Sequence, residues 1–163
     1  MENQNDLKIN KVYLGSVVLL MLVLPVISIM ADRHSTQNLI LLIGKWFVFW
    51  AIGIRLLLAG LRQVSKPAFT LQEIFHIKNI ESQVIVRELG FANICFGITG
   101  ILSIFIPEWR PAAGFAGGLY MGIAGVYHII KKPTSTNEVI AMVSDIFILF
   151  VLGVYLYGWF TGY

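Results

Sequence analysis

The sequence predicts an all-α polytopic integral membrane protein, with about five transmembrane helices plus a short interfacial helix. Of its 163 residues, 57% are hydrophobic and only 13% are charged, whereas a soluble domain carries about 25% charged residues. The mean hydropathy is +0.77, so the chain has too little polar surface to cover a globule in water. It also contains five apolar segments that approach the roughly 20 residues needed to cross a bilayer. We therefore expect residues 1–163 to form a single membrane domain.

The five apolar segments are joined by short polar loops. The first segment carries no charge, and its apolar run is longer than the roughly 7–15 residues of a secretory signal, so we expect a retained helix. The single cysteine, Cys95, lies inside the third segment and excludes an internal disulfide. The expected transmembrane helices lie near residues 12–30, 39–61, 84–107, 112–130 and 139–160.

Lysine and arginine are distributed unequally between the two sides of the expected bundle. Short loops rich in these residues tend to stay in the cytoplasm. Two basic residues, Arg33 and Arg110, fall on one side. The other side holds Lys8, Lys11, Arg62, Lys66, Lys78, Lys131 and Lys132. The sequence therefore predicts a multi-pass protein of the plasma or inner membrane, with its N-terminus in the cytoplasm and its C-terminus outside.

The longest loop, residues 63–83, contains the predicted interfacial helix. Thr70 and Glu73 have the spacing of a capping box, in which the two side chains cover backbone N–H groups at a helix start. Apolar residues then recur at helical spacing. We expect a helix near residues 70–79 that lies on the cytoplasmic face with its apolar side against lipid. His76 falls on this helix, where a solvated surface role is favoured over ligand binding.

Glycines form narrow stripes on the third and fourth segments. Small residues allow helices to approach closely in lipid, and a short turn joins these two segments. We therefore expect the third and fourth helices to pack against each other, with the Asn93 amide bridging helices. Alternatively, the fourth helix makes a homodimer contact. The predicted packing residues are Gly90, Gly97, Gly100, Gly114, Gly118 and Gly122.

Ionisable residues within the apolar segments are the most informative feature. Each costs about 2.5–3.5 kcal/mol on the insertion scale, so such residues usually face a partner or a water-filled cavity. At about 1.5 Å per residue, four of them on four helices share the cytoplasmic third. In that arrangement Arg55 could neutralise Glu88 or Asp145. The sequence predicts a polar pocket lined by Arg55, Glu88, Asn93, His128 and Asp145. The alternative is a structural network that fixes the order of the helices.

Other functional motifs are absent from the sequence. It has no nucleophile elbow, no HExxH pair, no phosphate loop and no dinucleotide fingerprint. Glu88, His128 and Asp145 are of metal-binding types, but nothing in their spacing requires a metal, and we predict neither a metal nor a cofactor. The net charge of +3 is scattered, which argues against nucleic acid. The expected partners are the lipid bilayer and a homo-oligomer formed through the glycine-rich helix faces.

The second half of the chain carries motifs in a familiar order. The most specific piece is Glu88-Leu89-Gly90-Phe91-Ala92-Asn93. After it come Phe96-Gly97, Gly100-Ile101-Leu102, Gly118-Leu119-Tyr120, Gly125-Val126-Tyr127-His128-Ile129, Asn137 and Asp145. With these motifs the chain resembles a family of small bacterial five-helix integral membrane proteins that is catalogued only as a domain of unknown function.

The resemblance implies a five-helix membrane protein and no particular activity. It marks Glu88, Asn93, His128 and Asp145, which the depth argument reaches independently. Arg55 departs from the family pattern, which is mainly apolar at this position or carries a histidine. The Arg55 pairing is therefore expected of this chain rather than of the family.

Three functions are compatible with these features. The first is a small-solute or proton-coupled carrier, because carboxylates and a histidine at membrane depth are the usual parts of a proton relay. The second is a structural or accessory membrane subunit, whose polar cluster holds the helices together. The third is a membrane-embedded enzyme acting on a lipid or quinone, in which Glu88 or Asp145 with His128 supplies acid–base chemistry. No recognisable nucleophile accompanies them, so the enzyme ranks last and the carrier first.

Overall fold

The structure, a computed structural model, describes residues 10–33, 38–74 and 79–162. Within these ranges the chain is helical and contains no strand, which confirms the predicted fold class. Five helices are long and apolar enough to cross a membrane. They are α1 (Lys11–Ala31), α2 (Leu39–Ser65), α4 (Ile80–Leu102), α5 (Pro107–Lys131) and α6 (Thr136–Thr161). A short helical segment, α3, lies between α2 and α4 and comprises Pro67–Phe69 and a π-helical turn, Thr70–Ile74.

Side chains cap the starts of four of these helices, including α4, where the Asn79 side-chain oxygen accepts from the Glu81 N–H at 3.0 Å. The side-chain oxygen of Asn10 accepts a hydrogen bond from the Tyr13 N–H at 3.0 Å, and Asn38 caps α2 in the same way at 3.1 Å. Ser135 Oγ accepts from the Glu138 N–H at 3.2 Å, which begins α6. These caps matter because the first N–H groups of a helix have no partner within it.

Two transmembrane helices contain π-helical turns. One turn, Leu19–Val23 of α1, ends two residues before Pro25, whose missing N–H and ring disturb the hydrogen bonds of the preceding turn. The other turn, Val48–Ile54 of α2, ends immediately before Arg55. A π-helical turn shifts the residues that follow it around the helix axis and is often found near functional sites. In α2 it sets the direction in which Arg55 leaves the helix.

The short helix α3 packs against the protein rather than only against lipid. Leu71 is 2% exposed and Thr70 is 7% exposed. The apolar side chain of Leu71 is therefore covered by neighbouring helices, whereas the sequence predicted that this face would contact lipid. The rest of the predicted interfacial helix, including His76, falls partly on residues 75–78, which lie outside the described residues.

The first glycine stripe brings α4 against α2. A Cβ atom added at Gly90 would lie 3.0 Å from the Gly60 carbonyl oxygen, and one added at Gly100 would lie 2.6 Å from the Gly53 nitrogen. Gly97 lies equally close to the backbone of Leu57. Only glycine at these positions lets the two backbones touch. The partner of this stripe is therefore α2, not the fourth transmembrane helix expected from the sequence.

The second glycine stripe brings α5 against α6. A Cβ atom at Gly118 would lie 3.2 Å from Leu152, and one at Gly122 would lie 2.7 Å from Leu149. A Cβ atom at Gly114 would lie 3.3 Å from the ring of Tyr155, which also belongs to α6. The two stripes thus form two helix pairs, α2–α4 and α5–α6, because α2 has glycines of its own and α6 has large side chains that fill the grooves. A homo-oligomer would have to use other faces, since these are already covered within one chain.

Candidate functional site

An open cavity of about 330 Å³ lies in the half of the bundle where α1 begins and α2 ends. Four of the five predicted pocket residues line it, each from a different transmembrane helix. They are Arg55 of α2, Asn93 of α4, His128 of α5 and Asp145 of α6. The volume is at the lower end of the roughly 300–1,000 Å³ of small-ligand sites.

Arg55 and Asp145 form an ion pair inside this cavity. The Arg55 Nη2 atom lies 3.3 Å from Asp145 Oδ1, and the two side chains are 15% and 10% exposed. Arg55 Nη1 lies 4.0 Å from the sulfur of Met121. The Tyr13 side chain also lies within hydrogen-bonding reach of Arg55. Among the described residues, these contacts leave part of the five-donor guanidinium without a protein partner. The pair therefore neutralises charge and leaves the arginine with donors for another ligand.

Two other lining residues keep an unpartnered polar atom. Asn93 is 3% exposed, and its Nδ2 group donates to Gln63 Oε1 at 2.7 Å. Its Oδ1 atom is buried and finds no partner within the described residues. His128 is 9% exposed, and its Nδ1 atom is likewise without a partner there. Because leaving a buried polar atom unpaired costs about 1–3 kcal/mol, both atoms suit a water or a bound ligand.

Glu88, the fifth predicted pocket residue, is placed elsewhere. Its side chain is exposed and it is not among the cavity-lining residues. It lies five residues before Asn93 on the same helix, which corresponds to a rotation of about 140° at about 100° per residue. Depth along the helix was predicted from the sequence, but the direction around the helix separates Glu88 from the other four.

Several lining residues were not anticipated from the sequence. The sequence places Gln63 in a loop, because the apolar run of the second segment ends at Leu61, although α2 continues to Ser65. Tyr13 and Tyr120 belong to uncharged stretches that gave no reason to single them out, and Thr70 was read only as a helix cap. All four line the cavity. Tyr120 lies eight residues, or about two turns, before His128 on α5, so helical spacing from His128 is a signal for it, whereas no predicted pocket residue lies on α1 to mark Tyr13.

The rim of the cavity includes side chains on the outer surface of the bundle. Val12 of α1 is 77% exposed and Leu58 of α2 is 53% exposed, and both line the cavity. Arg62, also exposed, lies with its Cζ atom 3.5 Å from the centre of the Phe69 ring. The cavity therefore opens sideways between α1 and α2 as well as near the end of the bundle, with an arginine at its edge.

Polar contacts at the opposite end of the bundle join helices and do not reach the cavity. Lys45 Nζ lies 2.5 Å from Asp32 Oδ2, and Trp46 Nε1 donates to the same oxygen at 3.1 Å. The Lys45 hydrogen bond lowers the pKa of the Asp32 carboxyl group. Nearby in depth, Arg110 Nη2 donates to the Ser103 carbonyl at 3.2 Å. These contacts fasten α1 to α2 and α5 to the end of α4.

The donor set of the cavity is a poor fit for a metal ion. Of the residues that the structure describes, the lining includes one carboxylate, Asp145, which is already paired, and one imidazole, His128. In residues 10–33, 38–74 and 79–162, no three His, Cys, Asp or Glu side chains come together in a way that could hold a metal. The lining combines polar side chains with apolar ones, including the exposed Val12 and Leu58.

Comparison with known proteins gives one match, to a family of unknown function, DUF6790, over residues 12–159. The chain belongs to this family. No curated protein and no solved structure matches the chain. The DUF6790 match spans all four cavity residues and Glu88, and it confirms the resemblance expected from the sequence motifs. Membership in DUF6790 carries no activity with it, so any function must be argued from the cavity.

Proposed function

We propose that this protein is a small-solute or proton-coupled carrier of the plasma or inner membrane, with the cavity as its solute-binding site. The observation that carries the proposal is the open cavity around the Arg55–Asp145 pair. An ion pair at membrane depth is costly, yet this one lines an open cavity with unused donors instead of being sealed in a dry helix contact. That arrangement suits a site that must bind and release a ligand.

Proton coupling would use the groups that face one another across the cavity. Asp145 supplies a carboxyl group and His128 an imidazole group to the lining, and groups of these two kinds are the usual proton carriers in membrane proteins. Arg55, Arg62, Tyr13 and Tyr120 also line the cavity and surround them. A proton carried by either group would change the charge beside the solute. Solute binding and proton binding would then be coupled.

The proposed orientation places the cavity on the cytoplasmic side, with the N-terminus in the cytoplasm and the C-terminus outside. This rests on the excess of Lys and Arg in the loops at that end. Reporter fusions at each terminus test it: a cytoplasmic reporter should be active at the N-terminus and inactive at the C-terminus. Activity of the cytoplasmic reporter at the C-terminus would reverse the orientation.

A structural or accessory subunit is the second candidate. The observation in its favour is that both polar contacts bridge helices, Asn93 to Gln63 between α4 and α2 and Arg55 to Asp145 between α2 and α6. Copurification with a larger membrane complex would support this reading. A chain that is stable and active alone in liposomes would exclude it.

A membrane-embedded enzyme acting on a lipid or quinone is the third candidate. The sideways opening past Val12 and Leu58 would admit such a substrate, and Asp145 with His128 could move a proton. In the described part of the chain, the cavity lining contains no cysteine or lysine that could serve as a nucleophile. Chemical conversion of a lipid or quinone by the purified protein, lost in Asp145→Asn, would favour this candidate over the carrier.

Flux through reconstituted liposomes tests the carrier directly. The protein is reconstituted with a trapped pH-sensitive dye, and proton flux is followed after a pH step, with and without amino acids, dicarboxylates, sugars and alkanesulfonates outside. The carrier predicts protein-dependent flux that is abolished in Asp145→Asn. Glu88→Gln is the matched control, because it removes a carboxylate at similar depth that lies outside the cavity, and it should retain flux. Equal loss in both variants, or no flux with any solute, contradicts the proposal.

A further inference from the structure

We propose that the natural ligand of the cavity is an amphipathic carboxylate: a single negative head group held by Arg55, with one apolar chain lying along the groove toward α1 and α2. This inference rests on the proposed function, because it names the solute class of the same cavity. It also stands on observations of its own, namely the charge of the lining, the donors left free and the sideways opening.

The charge of the lining favours one negative charge. Among the described residues, Arg55 and Arg62 line the cavity together with a single carboxylate, Asp145, so one positive charge is in excess when His128 is neutral. A carboxylate balances this excess. A phosphate monoester carries about 1.5–2 negative charges at neutral pH and would leave the cavity negative. The charge balance therefore favours a carboxylate head group over a phosphate.

The free hydrogen-bonding groups also suit a carboxylate. A guanidinium presents its donors as a planar fork that matches a carboxylate with two parallel hydrogen bonds. The contact from Arg55 to Asp145 is long, at 3.3 Å, and with the Tyr13 and Met121 contacts it leaves part of the fork for a ligand. A ligand hydroxyl or a water could donate to Asn93 Oδ1, which is buried and unpartnered within the described part of the chain. The inner end of the cavity thus recognises a polar head group.

The outer part of the cavity has the opposite character. Val12, Leu58 and Phe69 line it, and Val12 and Leu58 are exposed at the rim. Val17, Leu20 and Leu56 also line the cavity but are buried. A purely polar solute would leave the exposed side chains of Val12 and Leu58 uncovered. An acyl chain would cover them and could enter sideways from the bilayer. The modest volume of about 330 Å³ suits one chain rather than the two chains of a phospholipid.

Binding measurements on the purified protein in an uncharged detergent test this inference. Calorimetric titration with butanoate, pentanoate and hexanoate should give saturable binding that tightens about fourfold for each added methylene group. Hexanol and hexylamine match hexanoate in length but lack the negative charge, and both should bind at least tenfold more weakly. Equal binding of hexanol would show that the groove recognises only an apolar chain and would overturn the inference.

Variants locate the head group. The double substitution Arg55→Gln with Asp145→Asn removes both charges of the pair together, so it avoids an unpaired buried charge and should remain folded. It should bind hexanoate at least tenfold more weakly, whereas Glu88→Gln should bind within twofold of the parent. Unchanged binding in the folded double variant would place the head group elsewhere. Tighter binding of hexylphosphonate than of hexanoate would assign a phosphate ligand and overturn the carboxylate.

The outcomes of binding and flux separate this inference from the carrier proposal. Charge-dependent, chain-length-dependent binding without flux of the non-permeant hexanesulfonate or of protons keeps the ligand class and removes the carrier. Flux of an uncharged or cationic solute without hexanoate binding keeps the carrier and overturns the ligand class.

Discussion

Substitution of Gly97 by alanine tests the close crossing of α2 and α4 on which the geometry of the cavity depends. The added Cβ atom would lie 2.5 Å from the backbone nitrogen of Leu57 and 2.7 Å from its Cα atom. Carbon atoms pack at about 3.5–4.0 Å, so the two helices must separate by about 1 Å at the crossing. The atoms in the way belong to backbone, which cannot turn aside as a flexible side chain would. We expect the clash to destabilise the protein by about 1–3 kcal/mol.

Gly153→Ala is the matched control for this substitution. Gly153 lies in the interior of α6, and a Cβ atom there meets nothing within 4 Å. Both variants gain the same difference in helix propensity, up to about 1 kcal/mol, so the difference between them isolates the clash. The measurement is reversible unfolding in mixed micelles, followed by tryptophan fluorescence as the fraction of denaturing detergent rises. If Gly97→Ala unfolds at the same fraction as Gly153→Ala, the α2–α4 crossing is not as described.

Three further predictions concern polar contacts. Asp145→Asn leaves the buried Arg55 charge without a carboxylate and should lower the free energy of unfolding by about 3 kcal/mol in the same assay. Removing both charges together should recover most of this loss. A double variant that is no more stable than the single one would contradict the pairing. Asn93→Leu breaks the 2.7 Å hydrogen bond to Gln63 and should cost about 1–3 kcal/mol, whereas a neutral result would mean that water replaces the bond. The Asp32 carboxyl has a lowered pKa, so its ion pair stabilises the fold above its ordinary pKa of about 3.9 and this contribution is lost as the pH falls through the lowered folded-state pKa. The stability difference between the parent and Asp32→Asn should therefore be constant at higher pH and shrink as the pH falls below this ordinary value, and a difference that does not change with pH would refute the lowered pKa.

The architecture could be predicted from the sequence because each transmembrane helix is indicated by the hydrophobicity and length of its own segment. Five apolar runs of bilayer length need no tertiary information. Helix ends were harder to predict because a polar residue can continue a helix beyond its apolar part. Gln63 shows this: it lies past the last apolar residue of the run, yet it remains helical and faces the cavity.

The cavity could be predicted in part because depth is readable from the sequence and direction is not. Arg55, Asn93, His128 and Asp145 share a depth and line one cavity, although their common function stays a prediction. Glu88 shares the depth but leaves α4 on another side. The partners of the glycine stripes were mispredicted for a related reason. A stripe shows where a helix can be approached closely, but the approaching helix is decided by shape on both sides, as Gly53 and Gly60 of α2 illustrate.

Access of water to the cavity is the most direct test of the proposed solute-binding site, because a carrier site must be reached by water and a structural cluster must exclude it. In a Cys95→Ser background, single cysteines are placed at Ala124, which lines the cavity, and at Ala92, which is exposed on the outer face of α4 at membrane depth. A charged, membrane-impermeant thiol reagent is added from the cytoplasmic side of oriented vesicles.

We expect the cysteine at position 124 to react readily with the thiol reagent, and the cysteine at position 92, on the outer face of α4, not to react. Hexanoate should slow the reaction at position 124. A cysteine at position 124 that reacts only after the protein is denatured would show a dry cluster and would contradict the proposed binding site.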